Sequence, residues 1–206
     1  WIAFLRGEYD EAARWAKLAL PIAEAIESLA ALRSASATLL LARAQRGERG
    51  VSGAEIDRLE RGLLLRGDLG SGSETIVEAL LENGEVARAR RLAEARVARA
   101  GGRLRQAKAA LSLGMVALAS GPDELDTAER RLEEAVSRAR ECGLRQVEGR
   151  ARLGLAEVAR ARGDEQAKVA HAKQAIALLR PLGLQHYAGR AAGLLLERIE
   201  ESSPNA

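Results

Sequence analysis

Few residues of this 206-residue chain have the types and spacing that chemistry at an active site requires. The two histidines, His171 and His186, are fifteen positions apart, whereas two ligands on one helix face are about three or four apart. Cys142 is the single cysteine, and a buried, inert thiol is its simplest interpretation. Acidic pairs such as Glu133 and Glu134 stand among arginines and indicate solvated helix faces. We therefore expect no catalytic centre, no metal site and no cofactor, and so no enzyme.

The glycine-rich stretch 70–74 (GSGSE) could in principle hold an anion, because it opens a predicted helix. A phosphate-binding loop, however, has a strand before it and a Lys-Ser or Lys-Thr pair after it, and both are missing here. A plain connection between helices is the favoured interpretation.

The composition predicts an all-α protein. Hydrophobic residues make up 47% of the chain and aromatic residues only 2%, so the core must consist of Ala, Leu and Val, and Ala and Leu are strong helix formers. The net charge is +3, with 28 Arg and 4 Lys against 29 acidic residues. Signs alternate along stretches such as 131–141, unlike the clustered positive charge that nucleic-acid binding requires.

The expected location is the cytoplasm. A chain with one cysteine cannot form an internal disulfide, which favours a reducing compartment. No apolar run reaches the ~18 residues that a membrane helix needs. The chain starts at Trp1 within an apolar stretch, and we expect it to be a piece of a longer protein.

Glycines recur at nearly constant intervals. Five of them are 40, 37, 37 and 42 residues apart, namely Gly7, Gly47, Gly84, Gly121 and Gly163. Each follows an apolar helical run and precedes a second amphipathic run, so a unit of helix A, glycine turn and helix B recurs four to five times. A second series, Gly101, Gly143 and Gly183, fits glycine C-caps at the ends of the B helices.

This pattern resembles the tetratricopeptide repeat (TPR) family. That family places an aromatic residue two positions after the glycine and alanines further on, and Gly7, Tyr9, Ala12 and Ala19 follow it in full. The other copies match in part, and the period exceeds the usual length of about 34 residues. Long repeats of this sort are similar to the helical regions of maltose-regulator-like bacterial transcription activators. The resemblance implies an α-solenoid, a right-handed superhelix of antiparallel helix pairs.

The implied domain organisation is a single TPR-like domain over residues 1–201, degenerate at 46–74, with a disordered tail at 202–206. The predicted helices are 1–6, 8–28, 30–46, 54–66, 74–83, 85–100, 103–120, 123–142, 144–162, 165–182 and 185–201. The resemblance also implies a small residue seven positions before the turn glycine. Gly114 and Ala156 stand there, and we expect helix B to cross close to Gly114.

The resemblance further implies that the A helices line a concave groove. Groove positions in the C-terminal half fall on Lys108, Leu111, Met115, Arg150, Glu157 and Arg160. The remaining groove positions are Ser34, Ala37, Thr38, Leu41, Glu74, Glu78, Leu81 and Leu153. Arginine can hold a carboxylate through two hydrogen bonds, so Lys108, Arg150 and Arg160 suit an acidic or C-terminal peptide segment, with Leu111 and Met115 as its apolar floor. Glu157, between the two arginines, argues against a purely anionic partner and is expected to neutralise one of them. The alternative for each charged residue is an ordinary solvated side chain.

Two functions stay open. The first, which we favour, is a protein- or peptide-binding module of a larger bacterial regulatory or signalling protein, without direct contact to nucleic acid or membrane. The second is a structural spacer or a self-association (dimerisation) module with no ligand groove. Apolar exposure on the concave face would favour the first function, and apolar exposure on an edge or an end would favour the second.

Overall fold

The regular structure is helical throughout the part of the chain that can be described. The computed structural model describes residues 1–48, 73–98 and 100–201, and within these ranges no strand occurs. The all-helical prediction is confirmed for these residues. The predicted helix at 54–66, the tail at 202–206 and most of the degenerate segment 46–74 lie outside the described residues.

The helix bounds agree with the predicted ones to within a few residues. The α-helices are α1 (Ile2–Leu5), α2 (Tyr9–Ala25), α3 (Leu29–Gln45), α4 (Ser73–Glu82), α5 (Val86–Ala98), α6 (Arg103–Ala119), α7 (Leu125–Glu141), α8 (Arg145–Ala161), α9 (Glu165–Leu179) and α10 (Gln185–Glu201). Two short 3₁₀ turns adjoin them, Pro122–Glu124 before α7 and Arg180–Leu182 after α9. Among the described residues, no helix is both long enough and apolar enough to cross a bilayer.

The chain divides into two compact units, Trp1–Arg99 and Ala100–Ala206. In the first unit α2 packs against α1 and α3, α3 packs against α4, and α4 packs against α5. Phe4 is fully buried there, with its ring centroid 5.2 Å from that of Trp1 and 5.7 Å from that of Tyr9. A single continuous repeat domain stays a prediction.

In the second unit each helix from α6 to α9 packs against the helix that follows it. In addition α6 packs against α8, and α8 packs against α10. The core between α6, α7 and α8 consists of small and medium-sized side chains such as Leu111, Leu132 and Leu155. This matches the composition, since Ala, Leu and Val are nearly all the apolar residues available.

The five glycine turns are where the sequence places them. Each predicted turn glycine follows the end of a helix and has a positive φ, between +73° and +111°. At Gly84 the backbone N–H groups of Gly84 and Glu85 donate to Leu81 and Leu80 at 3.0 and 2.9 Å, closing the helix end. Such a conformation is strained for any residue with a Cβ, so glycine ends each of these helices.

The predicted C-cap at Gly101 lacks the expected positive φ. Gly143 and Gly183 have the expected positive φ of 67° and 71°, but in the third pair it is Gly102, not Gly101, with φ 83°. Gly102 directly precedes α6 and is its N-cap residue. Since two glycines stand side by side, either can take the left-handed conformation, and sequence spacing does not choose between them.

Gly114 lies at a close helix crossing, as predicted. A Cβ added to Gly114 in α6 would lie 2.7 Å from Cγ of Leu132 and 3.2 Å from the Leu132 backbone nitrogen in α7. Ala156, the corresponding residue of α8, is fully buried. The small residues therefore let neighbouring helices approach closely.

Candidate functional site

The six residues predicted to contact a ligand lie on α6 and α8, both in the second unit. Lys108, Leu111 and Met115 belong to α6 and the other three to α8. α6 packs against α7 and α8, and α8 packs in addition against α9 and α10, so the residues that surround the six come from α6 to α10. Of the six, the two apolar residues are buried or partly buried, and the four charged residues keep some exposed surface.

Arg150 lies over an aromatic ring of the next A helix. Its guanidinium carbon is 4.6 Å from the ring centroid of Tyr187 in α10, a cation–π contact. Tyr187 is buried, whereas Arg150 keeps part of its surface in solvent. The ring therefore helps to hold the guanidinium in place.

Glu157 pairs with an arginine that sequence reasoning did not select. Nη2 of Arg190 in α10 donates to Oε1 of Glu157 at 2.8 Å, and the Glu157 side chain is only 13% exposed. From its position between Arg150 and Arg160, Glu157 was expected to neutralise one of these two. The ion pair with Arg190 joins α8 to α10.

Arg160 forms the outermost link between the same two helices. Its Nη1 donates to Oε1 of Glu197 at 3.2 Å, and the two side chains are 51% and 48% exposed. An exposed pair of this kind contributes little to stability, about 0.2–1 kcal/mol. Arg160 can therefore exchange Glu197 for a carboxylate of another molecule at small cost.

Next to Arg150 and Arg190 lies a buried histidine. His186 is 4% exposed and its ring centroid is 4.7 Å from that of Tyr187. Burial, together with the nearby Arg190 and Arg150, lowers the pKa of His186 to about 3. The imidazole is therefore neutral at pH 7, chiefly because burial disfavours its charged form.

The three α6 residues differ in what they can offer a ligand. Leu111 is 2% exposed and belongs to the hydrophobic core, so it has almost no surface to serve as the floor of a groove. Met115 is partly buried and packs against the same core. Lys108 is partly exposed. Ligand contact by any of them stays a prediction.

The remaining groove positions are mostly buried as well. Thr38 donates from its hydroxyl to the backbone oxygen of Ser34 at 2.8 Å, within α3. Glu74 accepts a hydrogen bond at 3.2 Å from Arg96 of α5. The buried members are Ala37, Thr38, Leu41, Glu78 and Leu153. Core packing rather than ligand contact explains these five.

A large apolar stripe lies elsewhere, on α2 of the first unit. Trp15, Leu18, Ile22 and the adjoining Ile26 are between 54% and 65% exposed. Their spacing of three and four residues places them on one side of the helix. Trp15 is fixed there, since its indole N–H donates to Glu11 Oε1 at 3.0 Å.

Among the described residues, no group of three or more His, Cys, Asp or Glu side chains is arranged to hold a metal ion. Cys142 lies at the end of α7, is partly buried and forms no disulfide.

No protein-family model and no curated protein sequence gives a significant match to this chain. The family resemblance of the sequence pattern therefore stays a prediction, and function has to be argued from the residues themselves.

The residues that sequence reasoning missed are the partners on α10. Tyr187, Arg190 and Glu197 contact residues 37, 33 and 37 positions earlier in the chain. These separations are close to the spacing of the turn glycines, so the repeat in the sequence could have indicated these partners. Each predicted residue could have been paired with the residue about one period later.

Proposed function

We propose that this chain is a TPR-like protein- or peptide-binding module of a larger bacterial regulatory protein, and that the face formed by α8 and α10 binds an acidic or C-terminal peptide segment. The observation that carries the proposal is Arg150, held by the Tyr187 ring 4.6 Å away and still partly exposed. A guanidinium already fixed in position loses little conformational entropy when it binds a carboxylate.

The charges around Arg150 support this assignment. Arg150 and Arg190 both lower the pKa of His186, after the larger effect of burial, so the two guanidiniums stand near the same residue. Glu157 offsets Arg190, so the face is not strongly cationic and suits a peptide with a few acidic groups better than a polyanion. Arg160 extends the same face by nearly three helical turns along α8, with Lys108 on α6 as a further cation.

The experiment is a selection of peptides from a displayed library that presents both internal acidic segments and free C-termini. Peptides enriched on the whole chain are synthesised, and their Kd is measured by titration calorimetry. Reversal of both charges in Arg150→Glu with Arg160→Glu should weaken binding by about tenfold or more, since hydrogen bonds to charged groups contribute about 1.5–3 kcal/mol.

A matched control keeps the same change of net charge. Arg130→Glu with Arg180→Glu reverses two exposed arginines away from this face, and it should leave the Kd within about threefold of the wild-type value. If the peptides bind the Arg150/Arg160 variant as tightly as the control, while circular dichroism shows both folded, the proposed face is wrong.

A second candidate function, self-association, is favoured by the stripe on α2. Exposed apolar patches of this size are typical of protein interaction surfaces, and the stripe belongs to the most N-terminal long helix. Sedimentation equilibrium over a range of concentrations tests this candidate. Trp15→Glu with Ile22→Glu should convert a dimer to a monomer, whereas Leu196→Glu, which changes an exposed leucine of α10, should not. A wild-type chain that stays monomeric at high concentration contradicts this function.

A further inference from the structure

A second group of arginines lines a cleft made by α7 and α8. The cleft has a volume of about 430 Å³ and is lined by Glu133, Val136, Ser137, Arg140, Glu141, Arg152 and Leu155. Its floor is apolar, from Val136 and Leu155, and its rim is charged. None of the six residues predicted for the groove lines it, so the cleft is a separate feature of the second unit.

Arg152 is the unusual residue of the cleft. Its Nη1 donates to Nδ1 of His171 in α9 at 3.2 Å, and its Nε is buried without a hydrogen-bond partner. Leaving a buried donor of a charged group unsatisfied costs about 1–3 kcal/mol. This Nε is inaccessible, so a ligand in the cleft would meet the atoms of Arg152 that line it.

The surroundings of Arg152 contain a like charge. Arg140 donates to Glu148 at 2.6 Å and also lines the cleft. Burial and the charge of Arg140 lower the pKa of Arg152, although Glu148 and Glu133 act in the opposite direction. Two guanidiniums that face one cleft repel each other, and an anion between them removes that repulsion.

We propose that this cleft is a binding site for a single carboxylate, presented by an acidic side chain or a chain end of a partner peptide, and that Arg152 and Arg140 hold it. The cleft that these two arginines line carries the assignment. Arginine fits a carboxylate through two parallel hydrogen bonds. The site is independent of the face formed by α8 and α10, and either one can fail without the other.

The other charged residues of the cleft select a carboxylate over phosphate. Glu133 and Glu141 also line the rim, and their carboxylates repel a dianion more strongly than a single negative charge. A peptide carboxylate has amide N–H groups beside it, and these can donate hydrogen bonds to the glutamates. At neutral pH inorganic phosphate offers as donors only the one hydroxyl of its dianion or the two of its monoanion.

His171 provides a direct readout, because the chain has only two histidines. His171 faces Arg152 of α8, Glu133 and Glu129 of α7, and Asp164 before its own helix, and burial with Arg152 lowers its pKa. A carboxylate on Arg152 offsets that positive charge, so both the imidazole chemical shift and the pKa of His171 should move. His186, which is buried against α8 in the other group of arginines, serves as an internal reference.

The experiment follows the two imidazole Cε1–H signals of the whole chain by NMR, assigned with His171→Gln. The probe is N-acetylglutamate amide, and the matched controls at equal ionic strength are N-acetylglutamine amide, inorganic phosphate and sodium chloride. We expect the His171 signal alone to shift and to saturate with the glutamate probe, with a Kd of the order of millimolar.

Two variants test the assigned residues. Arg152→Gln should weaken binding by about tenfold or more, observed as loss of saturation, in a chain that circular dichroism shows to be folded. Glu133→Gln changes an exposed side chain and removes a competing carboxylate, so it should tighten binding several-fold. The second variant keeps the proposal testable even if Arg152→Gln fails to fold.

The proposal is overturned by any of three results. The His171 signal shifts equally with the glutamine analogue or with chloride, the glutamate shift persists in Arg152→Gln, or phosphate saturates the signal at a lower concentration than the glutamate probe.

Discussion

Replacement of Gly114 by alanine should destabilise the second unit, although alanine is the better helix former. Inside a helix, Gly→Ala contributes about 0.5–1 kcal/mol through backbone entropy. At Gly114, however, the new Cβ would lie 2.7 Å from Cγ and 2.8 Å from Cδ2 of Leu132, which is fully buried and cannot move into solvent. Overpacking of this kind costs about 1–3 kcal/mol.

Gly189 is the matched control. It lies in α10 of the same unit, is exposed, and has no atom within 4 Å of an added Cβ. Gly189→Ala should therefore be stabilised by about 0.5–1 kcal/mol. The difference between the two alanine variants isolates the packing contribution, and Gly114→Leu should lose more than Gly114→Ala because its larger side chain enters the same occupied space.

The assay is reversible urea unfolding followed by far-ultraviolet circular dichroism, with free energies from linear extrapolation. Adding Leu132→Ala to Gly114→Ala should relieve the clash and give a coupling energy of about 0.5–3 kcal/mol. If Gly114→Ala is stabilised as much as Gly189→Ala, then α6 and α7 are not as close as described, and the argument is refuted.

Two further predictions concern the α8–α10 face. His186 has a folded-state pKa of about 3, below its ordinary value of 6.5, so the unfolded chain binds the proton more tightly and stability is lost as pH falls from about 7 towards 3. This contribution should amount to about 2 kcal/mol between pH 7 and pH 5, measured by urea unfolding at each pH, and His186→Gln should flatten the profile; an unchanged slope contradicts the assignment. The mostly buried pair Glu157–Arg190 should give a double-mutant coupling energy of about 1–3 kcal/mol, against about 0.2–1 kcal/mol for the exposed pair Arg160–Glu197. Equal coupling energies would show that burial does not distinguish them.

The helices were predictable because their ends have a steric cause. Only glycine takes the left-handed conformation cheaply, so Gly7, Gly84 and Gly163 had to end helices wherever an apolar run preceded them. The same cause explains why Gly102, and not Gly101, has the positive φ, because either of two adjacent glycines can adopt it. The helix predicted at 123–142 is present, but its first turn, Pro122–Glu124, is 3₁₀ and α7 proper begins at Leu125.

The candidate site was predictable only in part. Arg150 and Arg160 were placed on the correct helix and are accessible, because their positions follow from the turn glycine at the end of α8. Whether Leu111 faces a groove or the core depends on how α7 and α8 pack around it. The sequence of a single helix does not indicate that packing. Arg152 was missed because its environment is made by His171 and Arg140, from two other helices.

The pairing of each helix with its successor in the second unit also has a consequence for the rate of folding. Contacts of α6 with α7 and α8, and of α8 with α9 and α10, join segments that are close along the chain. Short loops close with little loss of entropy, and proteins with mainly local contacts fold within about microseconds to milliseconds. A nascent chain could therefore complete each helix pair soon after the next helix leaves the ribosome, without waiting for a distant segment.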